Sequence, residues 1–366
     1  MLFKRFLILL CLPFCFSKSV DVTFKRVTFR GYSIFKEIYN GTITSGNRLK
    51  DFLPNFINDA VEIKYENISI IYKDSLADLG NLYELSIEFC HIEEIRPGAI
   101  SNSSMLRKLS FKGNDIKSIE FGVFNNLNLY TLDLSSNLIS NVNAHAFDDM
   151  PKLLNIKLDD NHIQIWNPEW FKNTHSLSRI SMQNNIIEEL PANAFKNIRS
   201  VKKYGNPIIN FVFDNNKIKY IDPKAFSGLE KIRNLWLDNN LLEDFNENVL
   251  NGITIDSLRL NNNKIKCFKG NLAKILKANM NVIDSNPFEC DCLQNIKEWS
   301  KGNKRVEIFI AELNCLTEAF NNNMANLKKI LKDLNENTQK TKNGKMEIAD
   351  TEFVLVKNNH RIKINF

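Results

Sequence analysis

Histidine is scarce in this chain of 366 residues, and the familiar catalytic and metal-binding motifs are missing. Only five histidines occur, and none is spaced from another histidine or from a cysteine as zinc ligands are. The sequence also contains no G-x-S-x-G, no phosphate-binding glycine loop and no H-E-x-x-H. These absences predict a protein that is not an enzyme and that uses no metal or other cofactor.

Long apolar runs are confined to the start of the chain. The opening "MLFKRFLILLCLPFCFSKS" has a basic beginning at Lys4 and Arg5, an apolar core, and small residues at Ser17 and Ser19. This pattern predicts a secretory signal peptide over 1–19, which is too short to cross a membrane. Neither a later apolar run nor an apolar C-terminal tail is present. We therefore expect a secreted, extracellular protein without a membrane span.

The chain has only a mild excess of one sign of charge. The formal net charge is +6, and the basic residues are spread along the chain instead of forming a stripe with interleaved aromatics. A nucleic-acid partner is therefore not expected. The mild excess is compatible with acidic partners, and no pattern in the sequence indicates an oligomeric state.

What the sequence does have is an internal repeat. Apolar residues stand five and three before and two and five after seven of eight regularly spaced asparagines, often with a Phe ten after. Around the eighth, Asn286, only the positions three before and two after are apolar. The asparagines are 23 or 24 residues apart, except for one interval of 31: Asn114, Asn137, Asn161, Asn185, Asn216, Asn240, Asn263 and Asn286. One strand with two inward apolar residues cannot bury itself, but a stack of such strands can. The pattern therefore predicts parallel strands about 4.8 Å apart.

The repeat resembles the leucine-rich repeat, whose signature is a period of about 20–29 residues with L-x-L-x-x-N. The resemblance implies an α/β solenoid, a curved array with a parallel concave β-sheet. Each asparagine is expected at an inner corner, where its amide can bond backbone groups of adjoining coils. The Phe residues ten after the asparagines are expected to form a buried spine: Phe124, Phe147, Phe171, Phe195 and Phe226.

Two further coils precede the asparagines. Cys90 stands at the asparagine position 24 residues before Asn114, and Glu66 stands 24 residues before Cys90. The consensus of the repeat accepts Cys at this place, so Cys90 is expected to be a buried, reduced thiol. The array then has about ten coils, within a repeat domain over 58–286.

Four cysteines cluster at the end of the array: Cys267, Cys290, Cys292 and Cys315. "NPFECDCLQNIKEW", followed by Cys315, resembles the disulfide C-terminal cap of secreted, insect-type leucine-rich-repeat proteins. Cys267 and Cys290 each lie four residues past an asparagine, so stacked coils favour Cys267–Cys290 with Cys292–Cys315. The resemblance instead favours Cys290–Cys315 and leaves Cys267 for Cys292. We prefer the stacked pairing.

The two ends of the chain complete the predicted organisation. Residues 20–57 form an N-terminal cap without cysteines, in which the alternation of "VDVTFKRVTFRGYSIF" indicates a strand and favours a hairpin over the first coil. The C-terminal cap covers 287–320, and a tail with a short helix covers 321–366. Three N-glycosylation sequons, all in the first third of the chain, begin at Asn40, Asn67 and Asn102.

The interval of 31 residues carries about seven extra residues near 199–209. These are either a tolerated surface insertion or a basic lip beside the binding face. In the second case Lys202 and Tyr204 would contact a ligand.

The remaining signal is the surface of the predicted sheet. Residues two and four before each asparagine point outward from its concave side. There Trp236 has Val212 and Arg259 as neighbours one coil away, and an acidic row borders them: Asp214, Asp238 and Asp284. Trp and Arg are enriched at binding hot spots. Of the other tryptophans, Trp166 is expected in the core, and Trp170 is expected to be partly exposed.

These observations predict a non-catalytic module that binds protein ligands on its concave face, with innate immune recognition or regulation as the leading role. An adhesion or matrix protein and a secreted venom or salivary effector or inhibitor remain as alternatives, because the fold alone does not determine function.

Overall fold

The computed structural model describes residues 22–35, 37–198, 209–303 and 307–309, with the short segments 324–326, 328–329, 353–357 and 360–364. Its contacts divide the chain into two compact units, 1–311 and 312–366. Several predicted features lie outside the described residues: the signal peptide 1–19, Lys202, Tyr204, Cys315, and four apolar residues in the region of the predicted tail helix (Leu327, Ile330, Leu331, Leu334).

The first unit is a solenoid built on one sheet, as the repeat predicts. Within the described residues the sheet has thirteen strands, whose spatial order is β2-β1-β3 and then β4 to β13 in sequence. They are β1 (Phe24–Tyr32), β2 (Ile38–Gly46), β3 (Ala60–Lys64), β4 (Glu84–Glu88), β5 (Lys108–Ser110), β6 (Thr131–Asp133), β7 (Asn155–Lys157), β8 (Arg179–Ser181), β9 (Ile209–Val212), β10 (Lys231–Trp236), β11 (Thr254–Arg259), β12 (Met280–Val282) and β13 (Glu307–Phe309).

Strands β3 to β12 are the ten parallel strands that the repeat predicts. Strand β13, within the predicted C-terminal cap, adds one more parallel neighbour to β12. At the other end β1 and β2 form an antiparallel hairpin, and β1 pairs with β3. The hairpin thus covers the edge of the first coil.

The asparagine ladder is confirmed in detail by Asn161. Its Oδ1 accepts a hydrogen bond from the Ile139 N–H at 2.9 Å, one coil earlier. Its Nδ2 donates to the carbonyl oxygens of Leu134 at 3.0 Å and of Leu158 at 3.1 Å. The side chain therefore satisfies backbone groups of two coils at once, and all eight ladder asparagines are buried.

Cys90 is a free, fully buried thiol, as predicted. Its Sγ donates to the carbonyl oxygens of Glu88 at 3.1 Å and of Ile63 at 3.5 Å. These contacts correspond to those of an asparagine Nδ2. Burial raises the pKa of this thiol to about 11, so it stays protonated and unreactive at neutral pH.

The phenylalanine spine is also confirmed, because all five predicted rings are buried. Phe147 stacks on Phe171 with ring centroids 5.6 Å apart. Trp166 lies in this core, but the prediction for Trp170 is wrong, since Trp170 is only 3% exposed. Its ring packs edge-on against Trp166, and its Nε1 donates to the Asn143 carbonyl oxygen at 3.1 Å. The indole thereby combines apolar burial with a satisfied polar end.

The outer side of the solenoid is irregular. Two-residue parallel ladders join Ile70–Ile71 with Glu94–Ile95, Leu76–Ala77 with Ile100–Ser101, Ser118–Ile119 with Asn141–Val142, and Glu189–Leu190 with Tyr220–Ile221. A 3₁₀ helix spans Leu49–Phe52, and two α-helices follow the later coils: α1 (Leu272–Ile275) and α2 (Cys290–Gly302). In the second unit, Phe353–Lys357 pairs antiparallel with His360–Ile364, and the described residues of 324–329 are helical.

The stacked disulfide pairing is wrong. Cys267 is bonded to Cys292, with their Cα atoms 5.5 Å apart. The reason is that Cys290 begins helix α2, so the chain has already left the coil register that would place Cys290 over Cys267. Residues two apart on a helix do not share a face, so only one of the two cysteines meets Cys267. Cys290 is itself disulfide-bonded.

Candidate binding face

Three adjacent parallel strands carry the predicted binding residues. In the register of the sheet, Trp236 on β10 is paired with Val212 on β9 and with Arg259 on β11. Parallel strands lie about 4.8 Å apart, so side chains at paired positions are direct neighbours. The sheet therefore brings Trp236 and Arg259 together, as the repeat predicts.

Trp236 and Arg259 form a cation–π pair. The guanidinium carbon of Arg259 lies 4.3 Å from the centroid of the indole. Both residues are half-buried, so the pair is held on the sheet while part of its surface remains accessible. The contact orders two large side chains before any ligand binds, which lowers the entropy that binding would cost.

Val212 does not supply the exposed apolar flank that the sequence predicts. It is only 2% exposed, although its position in the strand faces outward. The alternation of side chains along a strand predicts which ones point outward, but it does not ensure that they are exposed, because large neighbouring side chains can cover a small one. The accessible apolar area of the patch therefore belongs to Trp236.

The acidic row beside the pair is partly buried. Asp214 is 6% exposed, and burial, reinforced by the neighbouring charge of Asp238, raises the pKa of its carboxyl to about 6. Burial also raises the pKa of Asp238, although Arg259 lowers it in part. Asp284 is half-buried and lies two coils after Asp238, with Asn261 at the same position on the coil between them. Two neighbouring carboxylates that are costly to ionise would both gain from a cation placed against them.

Polar atoms without protein partners gather on this face. Five of its buried side-chain atoms make no hydrogen bond among the described residues: Asp214 Oδ1, Trp236 Nε1, Asp238 Oδ1, Ser257 Oγ and Asn261 Oδ1. All five lie two, four or six positions before a ladder asparagine, in three consecutive coils. Buried polar groups in native proteins are nearly always bonded, so each such group calls for an explanation. We call these five residues together with Arg259 the concave patch.

The earlier half of the same face behaves differently, because its charges pair with each other. Lys157 Nζ lies 2.9 Å from Asp133 Oδ2, and Lys108 Nζ lies 3.1 Å from Glu84 Oε2. There the pKa of Asp133 is lowered, since hydrogen bonds from Ser135 and Lys157 outweigh its burial. Among the described residues of this face, buried polar atoms without a hydrogen bond are thus confined to the concave patch. Ser257 and Asn261 were not singled out by the sequence, because small polar residues are ordinary on a sheet surface.

The other predicted sites are placed as follows. The sequon asparagines Asn40, Asn67 and Asn102 are all exposed. Within the described ranges, no group of three or more His, Cys, Asp or Glu side chains could hold a metal ion. Nor is any helix of the described part of the chain long and apolar enough to span a membrane.

The stacked parallel strands, the asparagine ladder and the phenylalanine spine together define a leucine-rich-repeat solenoid. Models of this family match the chain: a leucine rich repeat at 104–163 and 127–187, and the BspA type leucine rich repeat region at 198–307. The chain therefore belongs to the leucine-rich-repeat proteins.

Individual relatives are similar over part of their length. Mouse nephrocan is 29% identical over 126 residues, which are 31% of this chain and 25% of nephrocan. Chicken lumican is 26% identical over 204 residues, which are 54% of this chain and 56% of lumican. The chain thus spans between a quarter and about half of these proteins. A structure of the mouse RP105/MD-1 complex matches with a TM-score of 0.57 and 20% identity, over 69% of this chain and 42% of that one, and so supports the fold alone.

Proposed function

We propose that this protein is a secreted, non-catalytic module that binds a protein ligand through the concave patch. The observation that carries the proposal is the Trp236–Arg259 pair, surrounded by buried polar atoms that have no partner among the described residues. A rigid aromatic anchor with an adjoining Arg is the composition of a binding hot spot. Orphaned polar atoms beside it give such a site its specificity, because a ligand that lacks the matching groups leaves them unpaired.

The chemistry of the patch indicates what the ligand surface should offer. The oxygens of Asp238 and Asn261 require hydrogen-bond donors, and the indole N–H of Trp236 requires an acceptor. A polypeptide surface offers both kinds of group at strand-like spacing. The carboxylates of Asp214 and Asp238 add a preference for lysine or arginine on the ligand's rim.

For the biological role we favour innate immune recognition or regulation. The predicted signal peptide supports an extracellular site of action, and the absence of catalytic motifs from the sequence supports a binding role. The RP105/MD-1 structure, which shares the fold, is a complex of two proteins. An adhesion or matrix role is the second candidate, and similarity to lumican and nephrocan is the observation behind it.

The test is a differential capture experiment. The secreted chain is immobilised as the parent and as Trp236→Ala/Arg259→Ala, and both are exposed to body fluid of the source organism. A ligand of the concave patch is retained by the parent and not by the double variant. Binding of the purified candidate is then measured by calorimetry.

Tyr220→Ala serves as the matched control, because Tyr220 is 52% exposed and lies on the outer side of the solenoid. If parent and double variant retain the same proteins with the same affinity, the concave patch is not the binding site. Comparing expression before and after infection separates the immune role from the adhesion role.

A further inference from the structure

Each coil has one ladder position, which is held by an asparagine or, in the first two coils, by Glu66 and Cys90. The residue immediately before this position adopts a left-handed backbone conformation. Eight of these residues are small or polar, as this conformation favours: Gly113, Ser136, Asp160, Asn184, Asn215, Asn239, Asn262 and Ser285. The first two coils depart from this rule. There the same position holds Tyr65, with a φ of 60°, and Phe89, with a φ of 55°. A bulky side chain in this region is an outlier that the surrounding structure has to impose.

The two aromatic side chains form an exposed stack. Their ring centroids lie 5.4 Å apart with an interplanar angle of 13°. The third coil accommodates the stack, because a Cβ on Gly113 would overlap the Phe89 ring. Tyr65 remains 78% exposed although one face of its ring lies on Phe89. Its other face is therefore open to solvent.

An N-glycosylation sequon begins two residues after Tyr65, at Asn67-Ile68-Ser69. Asn67 and Ser69 are exposed, and their segment has no regular secondary structure. The side chain between the aromatic and the sequon is held away, because Glu66 accepts a hydrogen bond from the Thr28 N–H at 2.9 Å. The exposed ring of Tyr65 and the accessible side chain of Asn67 thus lie on either side of Glu66, whose side chain is hydrogen-bonded to the N-terminal hairpin.

The other two sequons lack this arrangement. Two residues before Asn40 stands Ile38, and two residues before Asn102 stands Ile100, which is only 5% exposed. Neither provides an aromatic ring. Of the three sequons, that of the first coil alone has an aromatic residue two positions before its asparagine.

We propose that Asn67 carries an N-linked glycan whose first N-acetylglucosamine packs on the open face of Tyr65. Attachment forms a bond from Asn67 Nδ2 to the anomeric carbon of an oligosaccharide and breaks the bond from that carbon to its lipid-linked pyrophosphate donor. The pyrophosphate leaves with the bonding electron pair, and the displaced amide proton passes to solvent. The apolar face of the sugar, rich in C–H groups, then covers the aromatic surface.

This inference rests on the proposed passage through the secretory pathway and is independent of the concave patch. The proposed contact also gives a reason for the unfavourable backbone conformation of Tyr65, because this conformation places the ring where the glycan can cover it. The attached sugar should stabilise the first coil, because the contact exists only when that coil is folded.

The test is a double-mutant cycle in an animal secretory host. The full chain is produced as the parent, Tyr65→Ala, Ser69→Ala and the double variant, and the occupancy of Asn67 in the parent is measured by glycopeptide mass spectrometry. Ser69→Ala removes the glycan without changing Asn67. We expect it to lower the melting temperature by roughly 2–4 °C when Tyr65 is present and by much less when it is combined with Tyr65→Ala. Any effect of Tyr65→Ala on the backbone at this position is the same with and without the glycan, so it cancels in the cycle.

Two controls isolate the contact. Ser104→Ala removes the Asn102 sequon and should show no coupling to Tyr65→Ala. The same four chains made in a bacterial periplasm, without glycans, should show no coupling either. In the glycosylated parent, NMR should detect a nuclear Overhauser effect between the first sugar and the Tyr65 ring, a measurement that needs no variant. An unoccupied Asn67, or an occupied one without coupling and without this signal, overturns the proposal and leaves the concave patch untouched.

Discussion

The guanidinium of Arg259 lies over the indole of Trp236, 4.3 Å from its centroid, on the next strand of the sheet. The two residues are not neighbours in the sequence, since they are 23 positions apart. The repeat length places them side by side, and each restricts the rotamers of the other. The pair is therefore a preorganised anchor of the concave patch that remains partly accessible.

We predict that Trp236→Ala and Arg259→Ala each weaken binding of the captured ligand while leaving the melting temperature nearly unchanged. A truncated hot-spot Trp typically costs at least about thirtyfold in affinity. Titration calorimetry and thermal unfolding of the same samples check both parts. Equal affinity of Trp236→Ala and the parent would exclude this residue as an anchor.

Stability should depend on pH with opposite signs at two aspartates of the concave face. The folded pKa of Asp214 is raised to about 6, against about 3.9 in an unfolded chain. Its contribution to stability is thus fully present below about pH 3.9 and is lost as the pH rises through 6. We expect Asp214→Asn to raise the melting temperature at pH 7.5 and to change it little at pH 4.

Asp133→Asn is the matched comparison. The pKa of Asp133 is lowered, because hydrogen bonds from Ser135 and Lys157 outweigh the effect of burial. Its contribution is present above the unfolded pKa and is lost as the pH falls. Asp133→Asn should therefore lower the melting temperature at pH 7.5, and less so in acid. The same sign for both variants at pH 7.5 would contradict the two assigned environments.

Loss of one ladder asparagine should be costly. Asn161→Ala removes the side-chain hydrogen bonds of this position: the buried N–H of Ile139 loses its acceptor, and the carbonyl of Leu134 keeps only the bond from Asn137. We expect a loss of about 1–3 kcal/mol in the free energy of unfolding, measured by urea denaturation. Asn248→Ala is the control, because Asn248 is exposed and its side chain makes no hydrogen bond among the described residues. Equal effects of the two substitutions would argue against the ladder's role.

The disulfide can be checked directly by peptide mapping without reduction. Cys290 and Cys292 are separated by Asp291 alone, so a protease that cleaves before aspartate separates them. We expect the peptide containing Cys267 to be linked to the one beginning at Asp291. Cys90 should be alkylated only after unfolding, because its thiol is buried and protonated. A bridge between Cys267 and Cys290 would restore the stacked pairing.

Much of the fold follows from the sequence because the repeat is a one-dimensional pattern. Asn161, Phe147 and Cys90 are buried as predicted, since each occupies a position that recurs at a fixed interval and meets its own equivalent one coil away. The same register places Trp236 beside Arg259. In a solenoid the spacing along the chain nearly determines the neighbours in space, so sequence alone is sufficient for these residues.

Tertiary structure decided what the period does not encode. Cys292 bonds Cys267 because helix α2 leaves the coil register, and Val212 is covered although it faces outward. The raised pKa of Asp214 depends on burial by neighbouring side chains, and the exposed stack of Tyr65 on Phe89 depends on backbone angles. Exposure, electrostatics and helix orientation result from many contacts at once, whereas the repeat specifies only which positions align.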